Sequence, residues 1–222
     1  MFLGVELNSI EGTLTLPQEK LDQFRSLIAE ALLCKRWSLK LLQRLAGKLN
    51  WASSVVRGGR VYLRRILDLM KPLRQNRHKI RASPGMVQDL QWWSRFLEVF
   101  NGKRIIHQTV PTYVAAVDAC PVGGGMVFQE DWSYVNWSYD FPSISKSHIN
   151  VKETAATLLA IKRWAHIWKD SKVIIYSDNT TAVACINKGT SRSREIMVLL
   201  REIFWLTELN NIQLTCHYFP GH

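Results

Sequence analysis

The chain has 222 residues, enough for one large domain or two modest ones. Its apolar fraction of 47% is ordinary for a folded protein, so disorder is not the default interpretation. No apolar run approaches the ~20 residues that a membrane helix needs, and the first residues lack the pattern of a secretory signal. The four cysteines include no C-x-x-C pair. They indicate reduced thiols rather than a zinc site, as is typical of intracellular proteins. We therefore expect a protein of the cytoplasm or nucleus, with no membrane partner.

The net charge of +11 lies in the first half of the chain. Residues 1–110 hold 19 Lys and Arg against 8 Asp and Glu, whereas residues 111–222 hold 10 of each kind. Between Lys35 and Arg81 there are fourteen basic residues and a single acid, Asp68. This density predicts contact with a polyanion, and we favour nucleic acid. The alternative is a solvated basic helix face.

The first half is predicted to be helical after a short hairpin with strands at 2–7 and 12–16. Apolar residues at helical spacing predict four helices: one after Pro17, one capped by Ser38, one from about Arg60 to before Pro72, and one from Ser83-Pro84 to Asn101-Gly102. Basic side chains on the outer faces of the second and third helices are predicted to bind nucleic acid: Lys40, Arg44, Lys48, Arg60, Arg64 and Arg65.

A boundary is predicted between residues 108 and 109, because the helical pattern gives way to alternation near Lys103–Val110. The predicted elements that follow are strands at 112–118, 125–130 and 133–139, a helix at 151–169, a strand at 172–177, helices at 179–187 and 193–209, and a strand at 211–219. This order predicts an α/β fold with a mixed sheet flanked by helices.

Three carboxylates are placed so that they converge. Asp118 and Asp178 end the apolar runs 112–117 and 172–177, and Glu153 opens the helix that follows. Side chains at the carboxyl ends of strands meet at one edge of an α/β sheet. Acids gathered there repel each other unless a cation lies between them, and their hard oxygen ligands favour Mg²⁺ or Mn²⁺. The pattern predicts a metal-dependent site.

Taken singly, two of these acids have simpler interpretations. Asp178 could cap the next helix, and Glu153 could favour a helix N-terminus through the helix dipole.

Together with the surrounding segments, these residues resemble the ribonuclease H domain of retroelement reverse transcriptases. Asp118 precedes the glycine-rich hairpin Gly123–Phe128, and the last strand ends in Thr215–His222. Glu153 and Asp178 stand between them in the family's order, and the resemblance covers about residues 110–222.

The upstream half adds to this resemblance. Residues 2–9 and 16–21 look like the end of a reverse-transcriptase palm passing into its thumb, and Leu45–Leu49 is similar to the thumb or connection of DIRS-like (tyrosine-recombinase) retrotransposons. No Tyr-x-Asp-Asp motif occurs, so no polymerase activity is predicted. The expected partner is the remainder of a reverse-transcriptase polyprotein, and the expected domains are a palm end with helical thumb or connection at 1–108 and a ribonuclease H-like domain at 109–222.

The resemblance implies hydrolysis of the RNA strand of an RNA–DNA hybrid with two Mg²⁺ (or Mn²⁺) ions. It implies that Asp118 bridges both ions and that Glu153 and Asp178 complete the ion on the leaving-group side. His222 matches a mobile-loop histidine that assists proton transfer or product release. Near the site, the candidate contacts with the hybrid are Gly124, Asn179 and Thr180, although the glycines could equally serve a hairpin turn.

One departure from the family affects the expected activity. The family has a fourth carboxylate, an Asp at the start of a final helix beyond the histidine, and no acid follows Glu208 in this sequence. We therefore expect a domain without its final helix, either impaired or completed by residues beyond His222. The alternative hypothesis is a non-catalytic nucleic-acid-binding or domesticated module.

Overall fold

The computed structural model describes residues 4–10, 12–56, 58–100, 104–105 and 110–220. The chain divides into two compact units, Met1–Gln108 and Thr109–His222. No helix within the described ranges is both long and apolar enough to cross a membrane.

Within its described residues, the first unit has four helices: α1 (Gln18–Leu33), α2 (Leu39–Ala52), α3 (Arg64–Met70) and α4 (Pro84–Phe100). The same residues form five short strands: β1 (Glu6–Asn8), β2 (Thr13–Thr15), β3 (Arg36–Ser38), β4 (Lys79–Arg81) and β5 (Arg104–Ile105). Helix α1 buries Leu21, Phe24 and Ile28 at helical spacing. The Ser38 hydroxyl caps α2 by accepting a hydrogen bond from the Leu41 N–H (3.2 Å).

Two features of this unit differ from the predictions. Helix α3 begins at Arg64 rather than near Arg60, because the preceding residues form successive turns after Gly58, which has a positive φ of 68°. The antiparallel pair of β3 and β4 was not predicted, since three-residue strands carry too little alternation to be recognised.

The second unit contains a five-stranded mixed sheet. Its strands are β6 (Thr112–Ala119), β7 (Gly123–Phe128), β8 (Asp131–Asn136), β9 (Lys172–Ser177) and β10 (Gln213–Tyr218). Their order across the sheet is β10-β9-β6-β7-β8. β9 runs parallel to β6 and β10, whereas β7 is antiparallel to β6 and β8. This is a mixed sheet, as the sequence predicts, and together with the helices of this unit it confirms the predicted α/β fold class.

The helices of this unit are α5 (Trp137–Asp140), α6 (Ile149–Trp164), α7 (Thr180–Lys188) and α8 (Arg194–Leu209), and a 3₁₀ turn spans Pro142–Ile144. Helix α6 packs against β6, β7 and α8 and is buried nearly all round. It ends at Trp164 rather than at the predicted residue 169. The Trp164 and Trp168 rings both pack near Phe128 of β7.

The opposite face of this sheet is exposed. Trp132 and Tyr134 of β8 are 70% and 55% exposed, and Val114 of β6 is 51% exposed. Apolar sheet faces of this kind are normally covered in α/β folds. This open face carries Asp118 at the end of β6, so it borders the candidate site.

Candidate metal centre

Asp118, Glu153 and Asp178 meet at the carboxyl edge of β6 and β9. One carboxylate oxygen from each lies within 4.8 Å of those of the other two. Asp118 and Asp178 are exposed, whereas Glu153 is only 2% exposed beneath them. The structure thus brings together the three acids that the sequence singled out, from two parallel strands and the helix between them.

The Glu153 carboxylate is held by the protein at both oxygens. The Ala119 N–H donates to Oε1 (3.1 Å), and the Ser177 hydroxyl donates to Oε2 (3.3 Å). The Asn179 N–H in turn donates to the Ser177 oxygen (3.1 Å), which orients the hydroxyl hydrogen toward Glu153. These bonds tie the first turn of α6 to the ends of β6 and β9.

The environment makes the charge on Glu153 costly. Burial, together with the negative charges of Asp178 and Asp118, raises the pKa of Glu153 to about 7, against the opposing effect of the hydrogen bonds from Ala119 and Ser177. Such a group is neutral in part at neutral pH and gains from a nearby cation.

The arrangement fits a hard divalent cation. Opposite ligands on Mg²⁺ lie about 4.2 Å apart, twice a bond of ~2.1 Å, so atoms within 4.8 Å of one another need only a small side-chain adjustment. The donor set consists of oxygens alone, which favours Mg²⁺ or Mn²⁺ over softer metals. Two of the three acids face an open groove of about 740 Å³, which would admit a substrate.

A second layer of polar contacts surrounds the acids. The Asn179 side chain caps α7 by accepting from the Ala182 N–H (2.9 Å) and donates to Asn150 Oδ1 (2.9 Å). His148 caps α6, because its Nδ1 accepts from the Asn150 N–H (3.2 Å). Thr180 is exposed as the first residue of α7. Asn179 and Thr180 therefore lie beside Asp178, as a contact with substrate would require, although that role stays a prediction.

Gly124 lies on the helix-covered side of β7. A Cβ built there would lie 2.5 Å from the Trp137 ring, so packing accounts for the glycine. Its contact with nucleic acid stays a prediction that this buried position does not favour.

The basic residues predicted to bind nucleic acid differ in their availability. Lys40 and Arg60 are exposed, and Arg44 is half-exposed with Glu30 at 3.8 Å. Arg64 and Arg65 lie within the unit's own ion pairs, with Asp68 and Asp89.

Lys48 lines a groove of about 400 Å³ with Lys20, Gln23 and Trp51. Its Nζ lies 3.4 Å from Gln23 Oε1 and above the Phe24 ring. His222, predicted to assist catalysis, lies outside the described residues.

Two polar residues of the site, Ser177 and Lys152, are not among the predicted site residues. Strand alternation could have indicated Ser177, because it turns this side chain to the face opposite Asp178, where α6 carries Glu153. No feature of the sequence indicates Lys152. It is 4% exposed next to Glu153, and its Nζ donates to the Pro121 carbonyl (2.7 Å).

No protein-family model and no curated protein matches the sequence. The chain is similar to a solved structure of the foamy viral protease–reverse transcriptase in complex with double-stranded DNA, with 15% identity, a TM-score of 0.40, and coverage of 100% of this chain and 38% of that chain. It is also similar to the foamy viral enzyme in complex with an RNA/DNA hybrid, with 16% identity, a TM-score of 0.39, and coverage of 100% of this chain and 29% of that chain. Ribonuclease H1 of the archaeon Halobacterium salinarum is similar with 11% identity and a TM-score of 0.38, over 50% of this chain and 86% of that chain. The chain therefore spans well under two thirds of the foamy viral chains.

Proposed function

We propose that the second unit is a ribonuclease H-type nuclease that hydrolyses the RNA strand of RNA–DNA hybrids. We also propose that the whole chain is part of a retroelement reverse transcriptase, with a palm end and thumb or connection in its first unit. The observation that carries the nuclease proposal is the convergence of Asp118, Glu153 and Asp178 within 4.8 Å at the sheet edge.

The three acids would hold divalent cations, and we propose that Asp118 would be the ligand shared by two of them. Such ions would supply the activation of an attacking water and the stabilisation of the leaving 3′ oxygen. The chain itself supplies the orientation of the carboxylates: Ala119 and Ser177 hold Glu153, while the two aspartates stay open to the groove.

The open face of the sheet supports completion of this domain by residues beyond His222. The groove beside Asp118 continues onto Trp132, Tyr134 and Phe219, whose exposed rings need a cover. A helix that covered these rings would lie beside the two aspartates, because Asp118 and Asp178 line the same groove. We propose that this helix carries the fourth acid.

The test is cleavage of a labelled RNA–DNA hybrid in Mg²⁺ or Mn²⁺, with this chain and with one extended past His222. We expect the extended chain to cut the RNA strand of the hybrid and to leave a DNA duplex intact, and the shorter chain to be much slower. No hybrid cleavage by the extended chain in either metal would refute the nuclease proposal.

Ser177 offers a test of the carboxylate arrangement. Removing a group that orients a metal ligand typically weakens metal binding by about 10–100-fold. We expect this loss for Ser177→Ala and little loss for Ser177→Thr, which keeps the hydroxyl, when Mn²⁺ binding is measured by calorimetry. Ser171→Ala is the matched control, because Ser171 is also buried and its hydroxyl also donates a hydrogen bond, but to the Trp168 carbonyl at the other end of β9 rather than to a carboxylate of the site. Equal affinities for Ser177→Ala and Ser171→Ala would contradict the role of Ser177.

The first-unit groove is proposed to contact the phosphate backbone through Lys48, with Trp51 available for stacking on a base. Affinity for nucleic acid falls with salt concentration, and the loss of one lysine–phosphate contact makes the slope of log affinity against log salt concentration less steep by about 0.9. Lys48→Ala should show this change when hybrid binding is titrated at several salt concentrations, whereas Lys162→Ala, in the second unit, should not. An unchanged slope for Lys48→Ala would remove Lys48 from the proposed interface.

The second candidate is a non-catalytic nucleic-acid-binding or domesticated module. One observation favours it: among the described residues only three acids converge at the site. Glu202 is paired with Lys162, and Glu195 accepts a hydrogen bond from Ser147. Hybrid binding without cleavage by the extended chain would select this alternative.

A further inference from the structure

Lys152 is a buried lysine beside the proposed metal centre that has no part in the proposed reaction. It is 4% exposed and directly precedes Glu153 in α6. Lysine side chains are almost never buried without a partner. The partner of Lys152 Nζ among the described residues is a neutral one, the Pro121 carbonyl at 2.7 Å.

Pro121 belongs to the turn that joins β6 to β7, three residues after Asp118. The same turn is tied at two other points to Trp137, which is fully buried. The Trp137 indole N–H donates to the Cys120 carbonyl (3.0 Å), and the Trp137 backbone N–H donates to the Val122 carbonyl (3.0 Å). Three consecutive carbonyls of the turn are thus held, and only Lys152 connects it to α6 by a side-chain hydrogen bond among those described.

Consecutive side chains of α6 therefore hold the end of β6 at two points. Glu153 accepts from the Ala119 N–H, and Lys152 donates to the Pro121 carbonyl. Asp118 immediately precedes Ala119, so both bonds act on the backbone next to this acid.

We propose that Lys152 is a positioning residue, which holds the turn after β6 against α6 and thereby sets the separation of the Asp118 and Glu153 carboxylates for cation binding. This inference rests on the proposed metal site. A lysine that only stabilised the fold would affect the unfolding midpoint and leave cation affinity unchanged, so affinity is the measurement that separates the two roles.

The experiment measures Mn²⁺ binding to the full chain by isothermal titration calorimetry, with folding checked by circular dichroism. Lys152→Met keeps the apolar stem and removes the donor, and Lys152→Gln is too short to span the same distance. We expect about a tenfold loss of affinity in each, the lower end of the effect of groups that orient metal ligands. Lys152→Arg, which keeps a donor, should recover most of the affinity. Lys162→Met, an exposed position on the same helix, is the matched control and should bind as the parent does.

The outcomes separate this inference from the proposed function. If the parent binds Mn²⁺ and either folded variant, Lys152→Met or Lys152→Gln, binds it equally well or more tightly, the positioning role is overturned and the metal site stands. If the parent itself fails to bind Mn²⁺, the metal site is overturned and the role of Lys152 falls with it.

Discussion

Replacing Asp118 by Asn in a chain extended past His222 is expected to abolish hybrid hydrolysis. Asp118 is an exposed acid of the cluster and is proposed to bridge the two ions. Asparagine keeps the shape but offers a neutral oxygen, which binds Mg²⁺ far more weakly than a carboxylate. A loss of several kcal/mol of charge stabilisation corresponds to a fall in rate of about 10³-fold or more.

The measurement is the single-turnover cleavage rate of a labelled hybrid, together with Mn²⁺ affinity. Asp170→Asn is a suitable control, because Asp170 is exposed in the same unit and has a positive φ of 56° that asparagine tolerates. Cleavage by Asp118→Asn at the rate of Asp170→Asn would mean that the catalytic site lies elsewhere.

The main features of the second unit were predictable because they depend on local pattern. The runs that end in Asp118 and Asp178 are β-branched and apolar, so their strands and the edge at which they end follow from the sequence. Glu153 lies near the start of a helix whose beginning is also recognisable from the sequence. Convergence of the three acids then requires only that the two strands be parallel neighbours, which β6 and β9 are.

The contacts that orient these acids were not predictable in the same way. The bond from Lys152 to Pro121 joins a helix to a turn 31 residues away, and nothing local indicates which carbonyl the lysine reaches. The pairing of Arg65 with Asp89, 24 residues apart, likewise depends on how α3 meets α4. Gly124 illustrates the reverse case, in which a glycine suggestive of substrate contact is accounted for by the Trp137 ring above it.

Glu153→Gln is expected to stabilise the metal-free protein at pH 8 while weakening its response to Mg²⁺. The pKa of Glu153 rises from an ordinary 4.5 to about 7 in the folded state. A folded pKa above the unfolded one stabilises the fold fully below pH 4.5, and this contribution is lost as the pH rises to about 7. At pH 8 the buried charge costs on the order of 3 kcal/mol, which glutamine avoids.

The measurement is differential scanning calorimetry of the full chain in EDTA at pH 5 and pH 8. At pH 8 the transition of Glu153→Gln should lie roughly 10 °C above that of the parent, and at pH 5 the two should nearly coincide. The comparison isolates Glu153, because every other ionisable group is common to both proteins. Glu130→Gln, an exposed position in the same unit, should follow the parent at both pH values.

Mg²⁺ should reverse the order of the two unfolding temperatures at pH 8, so that the parent unfolds above Glu153→Gln. A cation that binds the folded state stabilises it according to its affinity, so Mg²⁺ should raise the parent's transition and affect Glu153→Gln much less. The proton and the metal compete for the same carboxylate, and the parent's gain from Mg²⁺ should therefore shrink as the pH falls below about 7. Coincident transitions of the parent and Glu153→Gln in EDTA at pH 8 would show that the buried carboxylate carries no such cost, and the electrostatic argument for a cation at this site would then fail.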